Sequence, residues 1–281
     1  MVGRIQRVKQ TKMTRGALIF AFDNEEINYV AMAAWCAANI KRHLGIEVAV
    51  VTDNKQAHQN PVFDYVIDAI PLGGTSKRYF DDIGNSVSWH NANRIDAYHL
   101  SPFEQTLVLD ADYVVASNQL KKLFHVPSEF VCHRWAYDIT GVNTFEDLNY
   151  FGRHKMPMSW ATVMYFNKCK LSESIFEMMI MIKNNWQHYR NLYGIAKATY
   201  RNDHALSIAL NTLFGHSAQH PEIPWQLASL LPAHKLTQLN VDQYRVDFET
   251  SDKKKKFITL ANQDFHAMGK KHLGDIIDNH S

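Results

Sequence analysis

Short apolar runs closed by acidic or amide side chains alternate with stretches of helical periodicity along the first half of the chain. Ala17 to Phe22 reads as a strand ending at Asp23-Asn24, and Asn28 to His43, with small residues on its packing face, reads as the helix that follows. Val48-Ala49-Val50-Val51, within Glu47 to Thr52, is a second strand ending at Asp53-Asn54, and Asp64 to Ile70 is a short third. Gly84 to Leu100 carries Trp89, Ile95 and Tyr98 at helical spacing, and Thr106-Leu107-Val108-Leu109 then reads as a buried strand. Farther along, Leu120 to Phe124 predicts a short helix and Trp160 to Phe166 a strand. Ser172 to Tyr193 predicts a long helix with Glu173 in its first turn, and Asp203 to Leu213 a further helix opened by an acid. Strands alternating with helices across short loops predict an α/β fold with a mostly parallel central sheet flanked by helices.

Open sheets of this kind bind ligands beyond the carboxyl ends of their strands. Three such ends, Asp23-Asn24, Asp53-Asn54 and Asp110-Ala111-Asp112, are expected on one rim. In an extended chain residues two apart point to the same side, so Asp110 and Asp112 would face one point. Carboxylates about 6 Å apart repel by roughly 3 kcal/mol at an effective dielectric near 20, a cost that a divalent cation beside them reverses. A turn accounts for one of the two acids and leaves the other unexplained. An apolar strand ending in Asp-x-Asp also resembles the nucleophile motif of haloacid-dehalogenase-type phosphatases, but that motif opens its fold, whereas several predicted elements precede this one. Asp23 and Asn24 could hydrogen-bond a pyrimidine base; helix capping is the plainer use of both.

A second cluster lies near the C-terminus, Asp264-Phe265-His266-Ala267-Met268-Gly269-Lys270-Lys271-His272. A neutral imidazole at His266 suits manganese-class metals otherwise held by carboxylates. Gly269 would let the backbone approach a ligand closely, and Lys270 and Lys271 would bring charge for a phosphate. One histidine of fifteen means little alone.

At 281 residues, 46% hydrophobic, the chain can build one large α/β domain or two small ones. A net charge of +2 gives no long-range attraction for nucleic acid, which is not an expected partner. The basic residues gather in a tail over residues 1–16 (Arg4, Arg7, Lys9, Lys12, Arg15) and at Lys253 to Lys256, both read as solvated. Cys36, Cys132 and Cys169 lack metal-ligand spacing and are odd in number, which suits a reducing compartment. The longest apolar stretch, Tyr29 to Ile40, is too short to span a bilayer and the N-terminus lacks a signal-peptide core, so a cytoplasmic protein is expected. Trp135, Tyr137, Phe145, Tyr150 and Phe151 crowd a region without clear periodicity, where they would fill a core or stack on a sugar face.

Taken in order, Asp110-x-Asp112 after an apolar strand, Asn202-Asp203-His204-Ala205-Leu206 opening a helix, and His266-x-x-Gly269-Lys270 resemble the glycogenin-like family 8 nucleotide-sugar glycosyltransferases. The resemblance runs from about residue 17 to 272 and implies a single GT-A, Rossmann-like domain over residues 17–281, in which 257–272 returns to the metal and diphosphate. It implies Asp110, Asp112 and His266 as ligands of Mn2+ or Mg2+, with Asp110 shared with the donor ribose. Arg94 is implied as a donor contact, Asp203 as the acid near the reacting sugar, and Lys270 or Lys271 as the cation for the diphosphate; Asp23, Asn24 and Gly269, read from their place at a strand end and in the C-terminal cluster, are further candidates for donor binding. The implied activity is retaining transfer of a hexose from a UDP-sugar to an acceptor hydroxyl on a glycan, lipid, protein or nucleobase. Three positions depart from the pattern. His204 replaces a glutamine, His272 replaces the lysine six residues after the metal histidine, and Trp160-Ala161-Thr162 replaces Asn-Ser-Gly. The changes at Trp160 and His204 keep open a non-catalytic nucleotide- or carbohydrate-binding relative, and the strand-terminal Asp-x-Asp keeps open a phosphatase using Asp110.

Overall fold

The computed structural model describes residues 14–72, 77–80, 83–88, 90, 92–143, 149–197, 199–215 and 222–279. The chain opens with β1 (Arg15–Phe20), α1 (Tyr29–Leu44), β2 (Glu47–Thr52) and β3 (Tyr65–Asp68), then a hairpin of β4 (Lys77–Phe80) and β5 (Asn85–Ser88). A 3-10 turn at Asn93–Asp96 runs into α2 (Ala97–Leu100), followed by β6 (Gln105–Leu109), β7 (Tyr113–Val114), β8 (Phe130–His133) and β9 (Ala136–Asp138). A small hairpin, β10 (Tyr150–Phe151) with β11 (Met156–Pro157), precedes the long β12 (Trp160–Asn167) and the helices α3 (Lys170–Asn184), α4 (Trp186–Leu192) and α5 (Asn202–Phe214). The chain closes with β13 (Leu227–Leu230), β14 (Lys235–Asn240), β15 (Gln243–Glu249), β16 (Lys255–Ala261), β17 (Phe265–Ala267) and α6 (Lys270–Asp278).

The central sheet has the order β3-β2-β1-β6-β12-β8. Its first four strands are parallel, with Ile19 beside Val50 and Leu109, while β12 runs antiparallel to both β6 and β8. The interior strands are buried along nearly their whole length, as continuous apolar runs require when helices cover a sheet. Helix α1 packs on β1 and β2, and α5 packs on β12 with α3 against it. Asn28 caps α1 by accepting from Ala31 N–H, and Gly45 ends it in the left-handed conformation at φ 64°. Gly16 in β1 is required by packing, since a Cβ there would lie 2.3 Å from the Phe103 ring.

A second sheet, β7-β17-β13-β9, positions the candidate site. In it β17 pairs antiparallel with β7, setting His266 opposite Tyr113, and β13 lies parallel to β17. The third sheet, β14-β15-β16, is an antiparallel meander that buries Leu236, Tyr244, Val246, Phe248 and Leu260.

Two predicted helices differ. Over Gly84 to Leu100 the described residues form a strand, a 3-10 turn and one helical turn; Trp89 lies outside them, as does Phe145. The Asn93 side chain accepts from Leu72 N–H and donates to the Ile70 carbonyl, tethering this segment to the neighbouring loop. The long helix from Ser172 breaks at Asn185, whose side-chain amide donates to the Met181 carbonyl and ends α3. Cys36 and Cys132 are buried, and burial pushes both thiols up to about 12. No described helix is long and apolar enough to cross a membrane.

Candidate functional site

Asp110 follows directly on β6, with its N–H bonded to the Thr162 carbonyl of β12 at 3.0 Å. The chain then turns, because Tyr113 N–H bonds back to the Asp110 carbonyl at 3.0 Å. The two acids therefore converge through a β-turn over Asp110–Tyr113, and not through the alternation of an extended strand that the sequence suggested. Ala267 N–H bonds the Asp112 carbonyl at 3.0 Å, which locks β17 beside the turn and places His266 Nε2 3.3 Å from Asp112 Oδ2.

One ligand atom from each of Asp110, Asp112 and His266 lies within 4.8 Å of the others. Two carboxylates and an imidazole form a donor set suited to Mn2+, or to Mg2+ with additional waters, and the spacing lets one ion reach all three. Asp112 and His266 are buried and Asp110 is half-buried, so a cation here would be partly shielded from solvent. The residues present thus fit a divalent cation.

Each acid also meets a cation from the chain itself. Arg94, 3% exposed, pairs through Nη2 with Asp110 Oδ1 and donates from Nη1 to the Ala161 carbonyl at 3.1 Å. Burial lowers this guanidinium to about 10, against the opposing pull of Asp203 and Tyr200, so it stays charged at neutral pH. Lys270, the first residue of α6, pairs with Asp112 Oδ2. His272, at the position where the family resemblance expects a lysine, lies toward Asp275 at 3.9 Å.

Asp203 is tied in through a single residue. Its Oδ1 accepts from Ala161 N–H at 3.0 Å, while the carbonyl of that same Ala161 receives Arg94. Burial would raise the Asp203 carboxyl, but Arg201 at 2.8 Å, the Ala161 N–H and Arg94 outweigh it and hold the group at about 2. Asp23 and Asn24 are engaged locally. Asp23 accepts from Val30 N–H and the Asn54 amide, and Asn24 accepts from Glu26 and Ile27 N–H while donating to the Ser88 carbonyl. Gly269 precedes α6 at φ −81°, a conformation open to any residue. Lys270 and Lys271 also line a cavity of about 440 Å3 between α6 and the start of α1, together with the acids Glu26, Asp275 and Asp278.

Sequence reasoning missed Arg201 and a ring stack. His204 lies between Phe151, at 4.9 Å between centroids, and Trp186, at 6.1 Å, with planes within 24° and 14°. Rings from β10, α4 and α5 meet only in the fold, and no spacing in the chain announces them. Burial, helped by Arg201, lowers His204 to about 3; burial likewise lowers His133 to about 4. Below pH 6.5 the unfolded chain takes up protons that these folded imidazoles refuse, so stability falls as pH drops from about 6.5 toward 4. The expected loss is on the order of 3 kcal/mol per histidine over that window. Urea unfolding at pH 7 and pH 4.5 measures it, and His204→Phe should flatten the dependence. Equal stability at both pH values, or an unaltered slope in the variant, contradicts this.

No protein family matches the chain in sequence, and no curated protein does. Among solved structures the fold is similar to the glycosyltransferase GlyE of Streptococcus pneumoniae TIGR4, at 16% identity and a TM-score of 0.45 over 75% of this chain; the match spans 45% of the GlyE chain. It is similar to the galactosyltransferase LgtC, at 15% identity and 0.45, over 71% of this chain and 70% of that one. A third, mouse xyloside xylosyltransferase 1, stands at 12% identity and 0.44, over 71% and 82%. At these identities and scores the likeness assigns neither family nor chemistry.

Proposed function

We propose that this chain is a metal-dependent, retaining glycosyltransferase of the GT-A type that moves a hexose from a UDP-sugar to an acceptor hydroxyl on a glycan, lipid, protein or nucleobase. The observation that carries the reading is the meeting of Asp110, Asp112 and His266, from two segments remote in sequence, with Lys270 in contact with Asp112. The order of these motifs along the chain is the order the family resemblance requires.

The demanding step in such a transfer is departure of a diphosphate, whose growing charge needs stabilisation. Mn2+ or Mg2+ held by Asp110, Asp112 and His266 would supply Lewis-acid and electrostatic stabilisation to it. Lys270 and Lys271 add positive charge from the cavity wall. Arg94 acts from behind, fixing the Asp110 carboxylate through the same guanidinium that anchors Ala161. Asp203 holds a fixed negative charge at the start of α5, which orients the donor sugar or acceptor and forms no covalent bond. Asp23 and Asn24 act through the loop they brace, since Glu26 to Asn28 behind them wall the cavity.

Arg94 also weighs against the phosphatase reading, because its buried guanidinium, fixed on the Ala161 carbonyl, occupies Asp110 Oδ1 and leaves one oxygen of that carboxylate engaged. One observation favours a second reading, a relative that binds nucleotide-sugar without transferring it. His204, where the resemblance has glutamine, is packed face to face between two rings. A nucleotide-sugar hydrolysis screen with Mn2+ separates these. Release of UDP from one UDP-hexose, dependent on added metal, is the expected result. Binding of UDP-sugars with no UDP release in the presence of any acceptor supports the second reading and sinks the first.

A further inference from the structure

We propose that Lys270 is a tethered cation that occupies Asp112 until a divalent metal and a nucleoside diphosphate arrive together, which makes the two ligands bind as a unit. This rests on the metal-site reading above and goes beyond it in assigning a coupling between the ligands to one side chain.

The charges set the problem. Asp110 carries Arg94 and Asp112 carries Lys270, so the two carboxylates of the candidate site are already matched by two cations of the chain. A divalent ion arriving alone meets a pair of acids whose field is largely cancelled, and it must displace one of these partners. Arg94 is the poor candidate for displacement. It is buried, holds the Ala161 carbonyl with its other nitrogen, and lies in a 3-10 turn of the core. Lys270 is the good one. It begins a helix, its side chain is 11% exposed, and it lines the cavity while it touches Asp112. An ammonium on a flexible four-carbon stem can exchange one oxygen partner for another without moving the backbone.

What the exchange needs is an anion to receive the ammonium. A diphosphate arriving beside Lys270 supplies it, and Asp112 is then free for the metal. Each ligand alone leaves one charge badly matched, the metal beside an ammonium or the diphosphate beside an engaged lysine. Together they restore balance. Coupling of this kind is reciprocal, so the diphosphate raises metal affinity by the factor by which the metal raises diphosphate affinity.

His272, where the family resemblance expects the diphosphate lysine, faces Asp275 on the helix, and the residue that reaches the acids comes two positions earlier.

The test is Mn2+ binding to the intact protein, read from the electron paramagnetic resonance signal of free Mn2+, with and without saturating UDP and with no sugar donor present. For the wild-type protein UDP should tighten Mn2+ binding by about ten- to a hundredfold, within the usual range of allosteric couplings. Lys270→Met, which keeps the stem and removes the charge, should bind Mn2+ alone about tenfold more tightly than wild type, with the UDP effect reduced to a few-fold. Lys270→Gln provides the same comparison should the methionine variant fail to fold. Lys270→Arg, which keeps the charge, should behave like wild type. If the neutral variants bind Mn2+ alone no more tightly than wild type, or retain the full UDP effect, Lys270 is not the coupling element, although the metal site stands. If no variant binds Mn2+ even with UDP, the metal-site reading itself falls and this inference with it.

Discussion

Asp112→Asn is expected to lower metal-dependent turnover by about two to three orders of magnitude while leaving the folded structure in place. The size follows from the cost of losing one preorganised electrostatic contact to a leaving group, typically about 3 to 4 kcal/mol of transition-state stabilisation. Asparagine is the informative replacement because it keeps the shape of the side chain and an oxygen for Lys270 while removing the charge a divalent ion requires. Alanine would open a gap and strand the lysine, confusing lost catalysis with lost stability. The backbone at Asp112 should hold regardless, since its carbonyl receives Ala267 N–H independently of the side chain. Donor hydrolysis with Mn2+ gives the turnover and a circular-dichroism melt gives the fold. Undiminished hydrolysis in a folded Asp112→Asn protein would remove Asp112 from the metal site.

Arg94→Met is expected to have the largest effect on stability, a loss of about 3 to 5 kcal/mol, the usual cost of removing one partner from a buried ion pair. Two groups are orphaned at once, the Asp110 carboxylate and the Ala161 carbonyl. Lysine should not rescue, because one compact ammonium cannot reproduce the forked reach of a guanidinium to both. Asp110→Asn in the same chain should recover part of the loss, and the double-mutant cycle gives the coupling directly. Urea unfolding is the measurement. A loss under about 1 kcal/mol would mean that the pair behaves like a solvent-exposed one.

The parts of this fold that announce themselves are those built from long apolar runs. β1, β2, β6 and β12 stand out because interior strands of a parallel sheet are apolar on both faces, and α1 because its periodicity is long and its ends are capped. The sheet that completes the site does not announce itself. β7, β9, β13 and β17 are two to four residues each, too short to show a period, and they pair across long intervals of sequence. The meander over Lys235–Ala261 carries a readable alternation at Tyr244, Val246 and Phe248, yet the polar residues between them and the lysine run make it resemble a loop.

The candidate site divides in the same way. Asp110, Asp112 and His266 were legible from residue type and order, but the expected cause of convergence was an extended strand where a β-turn does the positioning. Asp23 and Asn24 were legible as strand-end polar residues; Asp23 accepts from Val30 N–H in the first turn of α1, and Asn24 turns the loop before it by accepting from Glu26 and Ile27 N–H. That Lys270 would meet Asp112, or that Ala161 would join Arg94 to Asp203, depends on the docking of α6 and on the register of β12. Neither is written in any local pattern.

Anomalous scattering at the manganese edge, from crystals of the wild-type protein soaked with Mn2+ and UDP, locates the metal. One strong peak is expected within coordinating distance of Asp110, Asp112 and His266 together, in contact with the diphosphate. A protein that binds UDP with no peak there, or with manganese held elsewhere, would contradict the metal-site assignment.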